Sequence, residues 1–183
     1  MNAHRKLART MVVCAMLAGA AGTALAQKKG KTLKEQIVGT WTFVSALDVK
    51  ADGTRSDRWG SNPKGIFMFD RNGNFAQFIT RSDLPRFGAR RIDQGTAEEF
   101  RAVMSGLVAS FGTYTVNEAE RTVITHVEGS VLPDLVGVDQ KRKIISLTAS
   151  ELKYTNPTTV TGLAAEAVWK RAASRRKAPA SRP

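Results

Sequence analysis

The chain is 183 residues long, with a formal charge of +12, one cysteine and two histidines. Cys14 and His4 both fall in an N-terminal segment that reads as removable, so the remainder excludes disulfides, thiolate chemistry and the usual zinc ligand sets, and it implies no cofactor. The excess charge sits at the ends: between Gln36 and Trp169 basic and acidic residues balance, and few aromatics accompany the terminal Lys and Arg, which argues against a nucleic-acid partner.

The opening "MNAHRKLARTMVVCAMLAGAAGTALAQ" has a basic start (Arg5, Lys6, Arg9), an apolar stretch from Met11 to Ala21, and Ala24-Leu25-Ala26 before Gln27. This is the order of a secretory signal peptide. The apolar stretch is shorter than the roughly 20 residues of a spanning helix. No integral membrane segment is therefore expected after residues 1–26 are removed, and the mature protein is expected in the periplasm or outside the cell. Residues 27–35 read as a basic leader. With no cysteine left, stability must come from a buried core, for which a chain of this length suffices.

From Val38 onward, short β-branched and aromatic runs alternate with turn residues. Val38 to Val49 ends at Asp52-Gly53. "GIFMFDRNGNFAQFIT" places Asn72-Gly73 between two apolar runs, the strongest hairpin signal in the chain. Phe67, Phe69, Phe75 and Phe78 supply wall on one face or the other, and Trp59, beside the loop Gly60 to Gly65, is core or lid. "GTYTVNEAERTVITHVEG" turns at Asn117 to Arg121, "KRKIISLTASELKYT" turns at Ala149-Ser150, and "AAEAVWKR" closes the series. The pattern predicts an all-β domain of eight or nine antiparallel strands.

One segment interrupts it. In "QGTAEEFRAVMSGLVASFG", Thr96 followed three residues later by Glu99 is a capping box. Phe100, Val103, Met104 and Leu107 follow at helical spacing, with Gly112 as a stop. The expectation is one helix over about 97–110, its apolar stripe laid on the sheet or across a barrel mouth, or else forming a groove for a partner. The tail "AASRRKAPASRP" is small, basic and proline-bearing, and residues 172–183 read as disordered. Solvated ends are the simpler reading of the two basic termini; weak contact with an anionic surface is the alternative.

Three blocks in order, "VGTWTFVSALDVKADGT", "WGSNPKGIFMFDRNGNFAQFITRSDLPRF" and "FGTYTVNEAERTVITHVEGSVLPDLVGVDQKRKI", resemble the bacterial and fungal lipocalin-like domain family, a branch of the calycin-type barrels. The resemblance runs from about Ile37 to Lys170 and sets the domain at 36–171. It implies a lipocalin-like barrel with an apolar cavity. It also implies that the tryptophan of Gly-x-Trp (Gly39, Trp41) plugs the closed end beneath a basic residue, Lys170 or Arg171, in a structural role. It implies no reaction.

The polar residues of the later strands remain. Thr122, Ile124, His126 and Glu128 share one face of their strand, while Val123, Thr125 and Val127 share the other. On the next strand Val138, Gln140, Arg142 and Ile144 lie opposite the wet face of Asp139, Lys141 and Lys143. If the inner faces are those of His126 and Gln140, then His126, Glu128, Gln140 and Arg142 form one internal cluster, which Tyr114 reaches. Interior Glu128 and Arg142 would have to pair, because an unpaired buried ion costs several kcal/mol. Such a cluster is a structural network, or lies outside through the opposite parity, or is the polar end of a pocket for a small apolar molecule. It is otherwise a His126–Glu128 acid–base pair of an isomerase, cyclase or hydrolase. No Gly-x-Ser-x-Gly elbow, P-loop or dinucleotide fingerprint accompanies it. Binding rather than catalysis is the reading taken forward.

Overall fold

A computed structural model describes residues 30–173; the expectations for the signal segment and nearly all of the basic tail lie outside the described residues. Nine strands follow one another: β1 (Gly39–Val49), β2 (Arg55–Ser56), β3 (Lys64–Phe69), β4 (Asn74–Thr80), β5 (Leu107–Asn117), β6 (Thr122–Ser130), β7 (Asp139–Leu147), β8 (Glu151–Asn156) and β9 (Ala164–Arg171). From β3 to β9 each strand pairs antiparallel with the next. β1 pairs with β3 through Gly39–Thr42 and with β9 from Trp41 to Val49, so eight strands close into a barrel and two-residue β2 hangs on the rim at Asp48–Val49.

The turns follow their residue chemistry. Asp70 and Asn74 close a three-residue loop around Asn72-Gly73: the Asn74 backbone N–H donates to Asp70 Oδ1, its amide to Oδ2, and the Asp70 N–H to the Asn74 carbonyl, at 2.8–2.9 Å. These donors hold the Asp70 carboxyl below its ordinary pKa, the Asn74 side-chain amide contributing most. The β5–β6 turn begins at Asn117, whose Oδ1 accepts from the Glu120 N–H at 3.0 Å.

Two expectations about helices need correction. Helix α2 (Ala97–Ser105) begins at the Thr96–Glu99 capping box but stops at Gly106. Leu107, placed on the helical stripe, instead opens β5, and Gly112 lies inside that strand. Leu107 pairs with Thr80 and Val108 with Ile79, so sheet pairing overrides the helical spacing. No residue of α2 is buried; Phe100 packs on Phe87, ring centroids 5.1 Å apart. The second correction concerns the leader. Residues Leu33–Ile37 form a capped helical turn, α1, whose Leu33 and Ile37 enter the core, and the Glu118 carboxylate accepts from the Leu33 and Lys34 N–H groups at 2.8 and 2.9 Å. Two apolar residues four apart share one helix face, which gives the end of the leader a face to bury.

The side chains inside the barrel divide it lengthwise. At the closed end Trp41, Trp169, Phe67, Phe69 and Phe75 are at most 3 % exposed. Phe67 contacts Phe69 and Trp169 with ring centroids 4.2 and 5.3 Å apart. Trp41 donates its indole N–H to the Ile37 carbonyl at 2.8 Å, and the Arg171 guanidinium lies 4.1 Å over the same indole. Arg171 also donates to the carbonyls of Ala149, Val38 and Gln36 at 2.7, 3.0 and 2.6 Å. Gly39 is required here: its φ is +132°, and a Cβ would stand 2.6 Å from Arg171 Nη1. Lys170 is exposed, so the basic residue over the plug is Arg171.

Candidate ligand-binding cavity

The opposite end is built from smaller residues. Ala46 on β1 and Ala165 and Ala167 on β9 point inward where the closed end has tryptophan, and with Phe43, Ile79 and Val108 they border a cavity of about 60 Å³ open toward solvent. Trp59 from the β2–β3 loop and Leu135 from a short 3-10 turn (Pro133–Leu135) form part of its wall. Trp59 is 3 % exposed and stacks edge-on to Phe43 at 5.7 Å, so it is core and wall together. Phe67, Phe69 and Phe75 face inward, whereas Phe78 is on the outside.

Asp48, Arg58, Gln77, Gln140, Tyr154, Asn156 and Thr159 supply the polar lining. Arg58 Nε lies 3.7 Å from Asp48 Oδ2, and the Arg58 guanidinium lies 4.7 Å over Trp59. Burial lowers the Arg58 pKa, with the Asp48 charge working against that shift.

Arg142 lies behind the cavity lining, between Gln77, Gln140 and Tyr154 of that lining and Phe67 of the packed end. It is 2 % exposed, 5.3 Å over the Phe67 ring on one side and 5.7 Å from the Tyr154 ring on another. Its guanidinium donates to the Thr125 hydroxyl, to Gln140 Oε1 at 2.7 Å, to Gln77 Oε1 at 3.2 Å and to the Gln140 carbonyl at 3.3 Å. Among the described residues its Nε has no acceptor, and no carboxylate lies within ion-pairing distance.

The expected five-residue cluster is thus only partly assembled. Gln140 and Arg142 face inward. His126 and Glu128 do not: the inner face of β6 is Val123, Thr125 and Val127, each 0 % exposed, while His126 and Glu128 are exposed on the outside. Cross-strand register carries the same parity, pairing Val123 with Arg142 and Thr125 with Gln140 inside, and His126 with Asp139 outside. His126 Nδ1 is 2.8 Å from Asp139 Oδ1, both side chains more than half exposed. Its partner is therefore Asp139 and not Glu128, which sits at an irregularity in the β5–β6 pairing opposite Gly112. A Cβ on Gly112 would lie 2.1 Å from the His126 carbonyl, so the bulge needs glycine. The physical reason for the parity is cost: burying Val, Thr and Val is favourable, whereas burying His and Glu is not. Arg142 accordingly rests on neutral acceptors instead of the expected Glu128 partner. The acid–base alternative loses its premise, since the imidazole is outside the cavity.

Tyr114 is buried but belongs to the closed end. Its hydroxyl donates to the Asp70 carbonyl at 2.7 Å and its ring meets Phe69 at 5.0 Å. Burial, and then the Asp70 charge, raise its pKa. Gln77, Thr125, Asp48, Arg58 and Tyr154 were not singled out from the sequence. Gln77, which shares strand parity with Phe75 and Ile79, and Thr125, which shares it with Val123 and Val127, carry a usable local signal.

A closed antiparallel barrel of eight strands, tryptophan-plugged at one end and hollow at the other, defines the class as the small up-and-down β-barrels with an internal cavity. The chain belongs to the lipocalin-like domain family, whose model matches residues 38–176. Among curated proteins none matches it. Solved structures similar to it include a redesigned β-barrel (14 % identity, TM-score 0.41, covering 78 % of this chain and 96 % of that one). Bovine odorant binding protein in complex with a selenium-containing odorant is 13 % identical, with a TM-score of 0.40 and coverage of 83 % and 80 %. The amine binding protein of Rhodnius prolixus, in its tryptamine complex, is 12 % identical, with a TM-score of 0.39 and coverage of 78 % and 66 %.

Proposed function

We propose that this is an exported lipocalin-like protein that binds a small, largely apolar molecule in the mouth-end cavity. The observation that carries the reading is the contrast in inner side-chain size: Ala46, Ala165 and Ala167 leave space beside an aromatic and aliphatic wall, where the closed end is filled. Apolar pockets with a few placed polar groups are the usual form of a small-molecule site. Gln77, Gln140, Tyr154 and Asp48 are those groups; His126, Glu128 and Tyr114 are not among them. The space is smaller than the roughly 150 Å³ that takes up benzene, so a longer occupant either extends out of the mouth or displaces Trp59. Export rests on the form of residues 1–26.

The test is native mass spectrometry of the protein purified from its exported fraction, followed by Trp fluorescence titration with fatty acids, retinoids and polyketides. A co-purified molecule, or a saturable fluorescence change lost in Ala167→Leu, is the expected result. A ligand-free spectrum with no response across the panel would overturn the binding reading, and an intact N-terminus on the purified protein would overturn export.

A further inference from the structure

Resting on that reading, we infer that the cavity selects a ligand bearing a carboxylate, through two glutamine amides aimed by the buried Arg142. A guanidinium has donors only. Both carboxamides in contact with it therefore turn their oxygens toward Arg142, and the hydrogen-bond network fixes each amide's orientation. Their NH₂ groups are directed away from it. Gln77 and Gln140 both line the cavity, and neither Nε2 has a hydrogen-bond partner or is sealed from accessible space among the described residues. Two free donors thus face the hollow, polarised by a cation behind them. The Tyr154 hydroxyl, on the same lining, also has no partner among the described residues.

The charge balance points the same way. At 2 % exposure the Arg142 guanidinium has neutral acceptors and two aromatic faces but no counter-ion among the described residues. The other charges at the cavity, Asp48 and Arg58, face each other at 3.7 Å and cancel. The lining and Arg142 behind it together carry one uncompensated positive charge. A buried cation without a counter-ion is costly to the fold, and a monoanion at the two amides would compensate it. The apolar wall and the size of the space favour a monocarboxylate whose alkyl chain leads out past Trp59. Arg142 is then a positioning residue, acting through Gln77 and Gln140.

The experiment compares octanoate, octanol and octylamine as probes by calorimetric titration of the mature protein. The wild type is expected to bind octanoate at least tenfold tighter than the other two. Arg142→Met should weaken octanoate by roughly tenfold or more, in keeping with loss of a charge-assisted hydrogen bond, while octanol affinity stays within about twofold. Gln77→Glu supplies an internal carboxylate to Arg142. It should raise the melting temperature and weaken octanoate by a similar factor, a readout that holds even if Arg142→Met fails to fold. Equal affinity for octanoate and octanol, or an unchanged octanoate affinity in Gln77→Glu, would overturn the carboxylate assignment and leave the apolar-ligand reading standing. Failure of all three probes to bind, with none of the wider panel binding, would overturn both.

Discussion

Three arginines lie over aromatic rings in this barrel, and the contrast between two of them, Arg171 and Arg142, separates what holds the fold from what the fold can hold. Arg171, at the closed end, covers Trp41 and donates to three backbone carbonyls, those of Gln36 in α1, Val38 just before β1, and Ala149 in the β7–β8 turn. All its acceptors are main chain, so its role is complete within the polypeptide. Arg142, behind the cavity lining, covers Phe67 and contacts mainly side-chain acceptors, and two of the residues supplying them have their donor ends free toward a hollow. Its surroundings are finished only by something else.

The comparison can be broken at the closed end by removing the plug. Trp41→Ala takes away a fully buried indole and its hydrogen bond to Ile37. It should cost about 3–5 kcal/mol in chemical denaturation; a loss below about 1 kcal/mol would show that the packed end does not support the barrel. Arg171→Ala should cost about 2 kcal/mol by loss of the charge-assisted bonds to carbonyls. Gly39→Ala acts on the same contact, so the double variant should lose clearly less than the sum of the two. Full additivity in the double-mutant cycle would separate the glycine from the arginine.

At the other arginine the expected signs differ. Arg142→Met removes an uncompensated buried charge and keeps the volume, so stability should stay level or rise. A loss above about 2 kcal/mol, measured as for Trp41→Ala, would place Arg142 beside Arg171 as a structural cation. Ala167→Leu should change stability by less than about 1.5 kcal/mol, because a hollow adjoins it, and should abolish the fluorescence response to ligand. The smallest effect is expected outside the barrel. His126→Ala removes an exposed pair with Asp139 and should alter stability by less than about 0.5 kcal/mol, with no change in octanoate affinity; a tenfold loss of affinity would return the imidazole to the site.

Much of the fold is legible in the chain because its signals are local. Asn72-Gly73, Asn117 and the Thr96–Glu99 box each act within five residues, and Gly39-x-Trp41 marks the plug. The end of α2 is less legible, since Leu107 satisfies both the helical spacing and the strand that captures it, and only pairing with Thr80 decides. The candidate site suffers from a different ambiguity. Strand alternation defines two faces without saying which is inside, and in β6 it leaves both parities open, although Val123, Thr125 and Val127 are the cheaper residues to bury. Applying that cost criterion alone gives the observed parity. The Asp48–Arg58 pair joins β1 to the β2–β3 loop, and Arg142 meets Gln77 across a sequence distance of 65 residues; no local pattern encodes such contacts.

The division between a solid end and a receptive end is tested most directly by methyl NMR during an octanoate titration. Saturable shifts are predicted at Ala46, Ala165, Ala167 and Ile79, with Val44 and Ile145 on the outer surface unmoved. Shifts confined to Val44, Ile145 and other outer methyls, with the three alanines silent at saturation, would contradict the account.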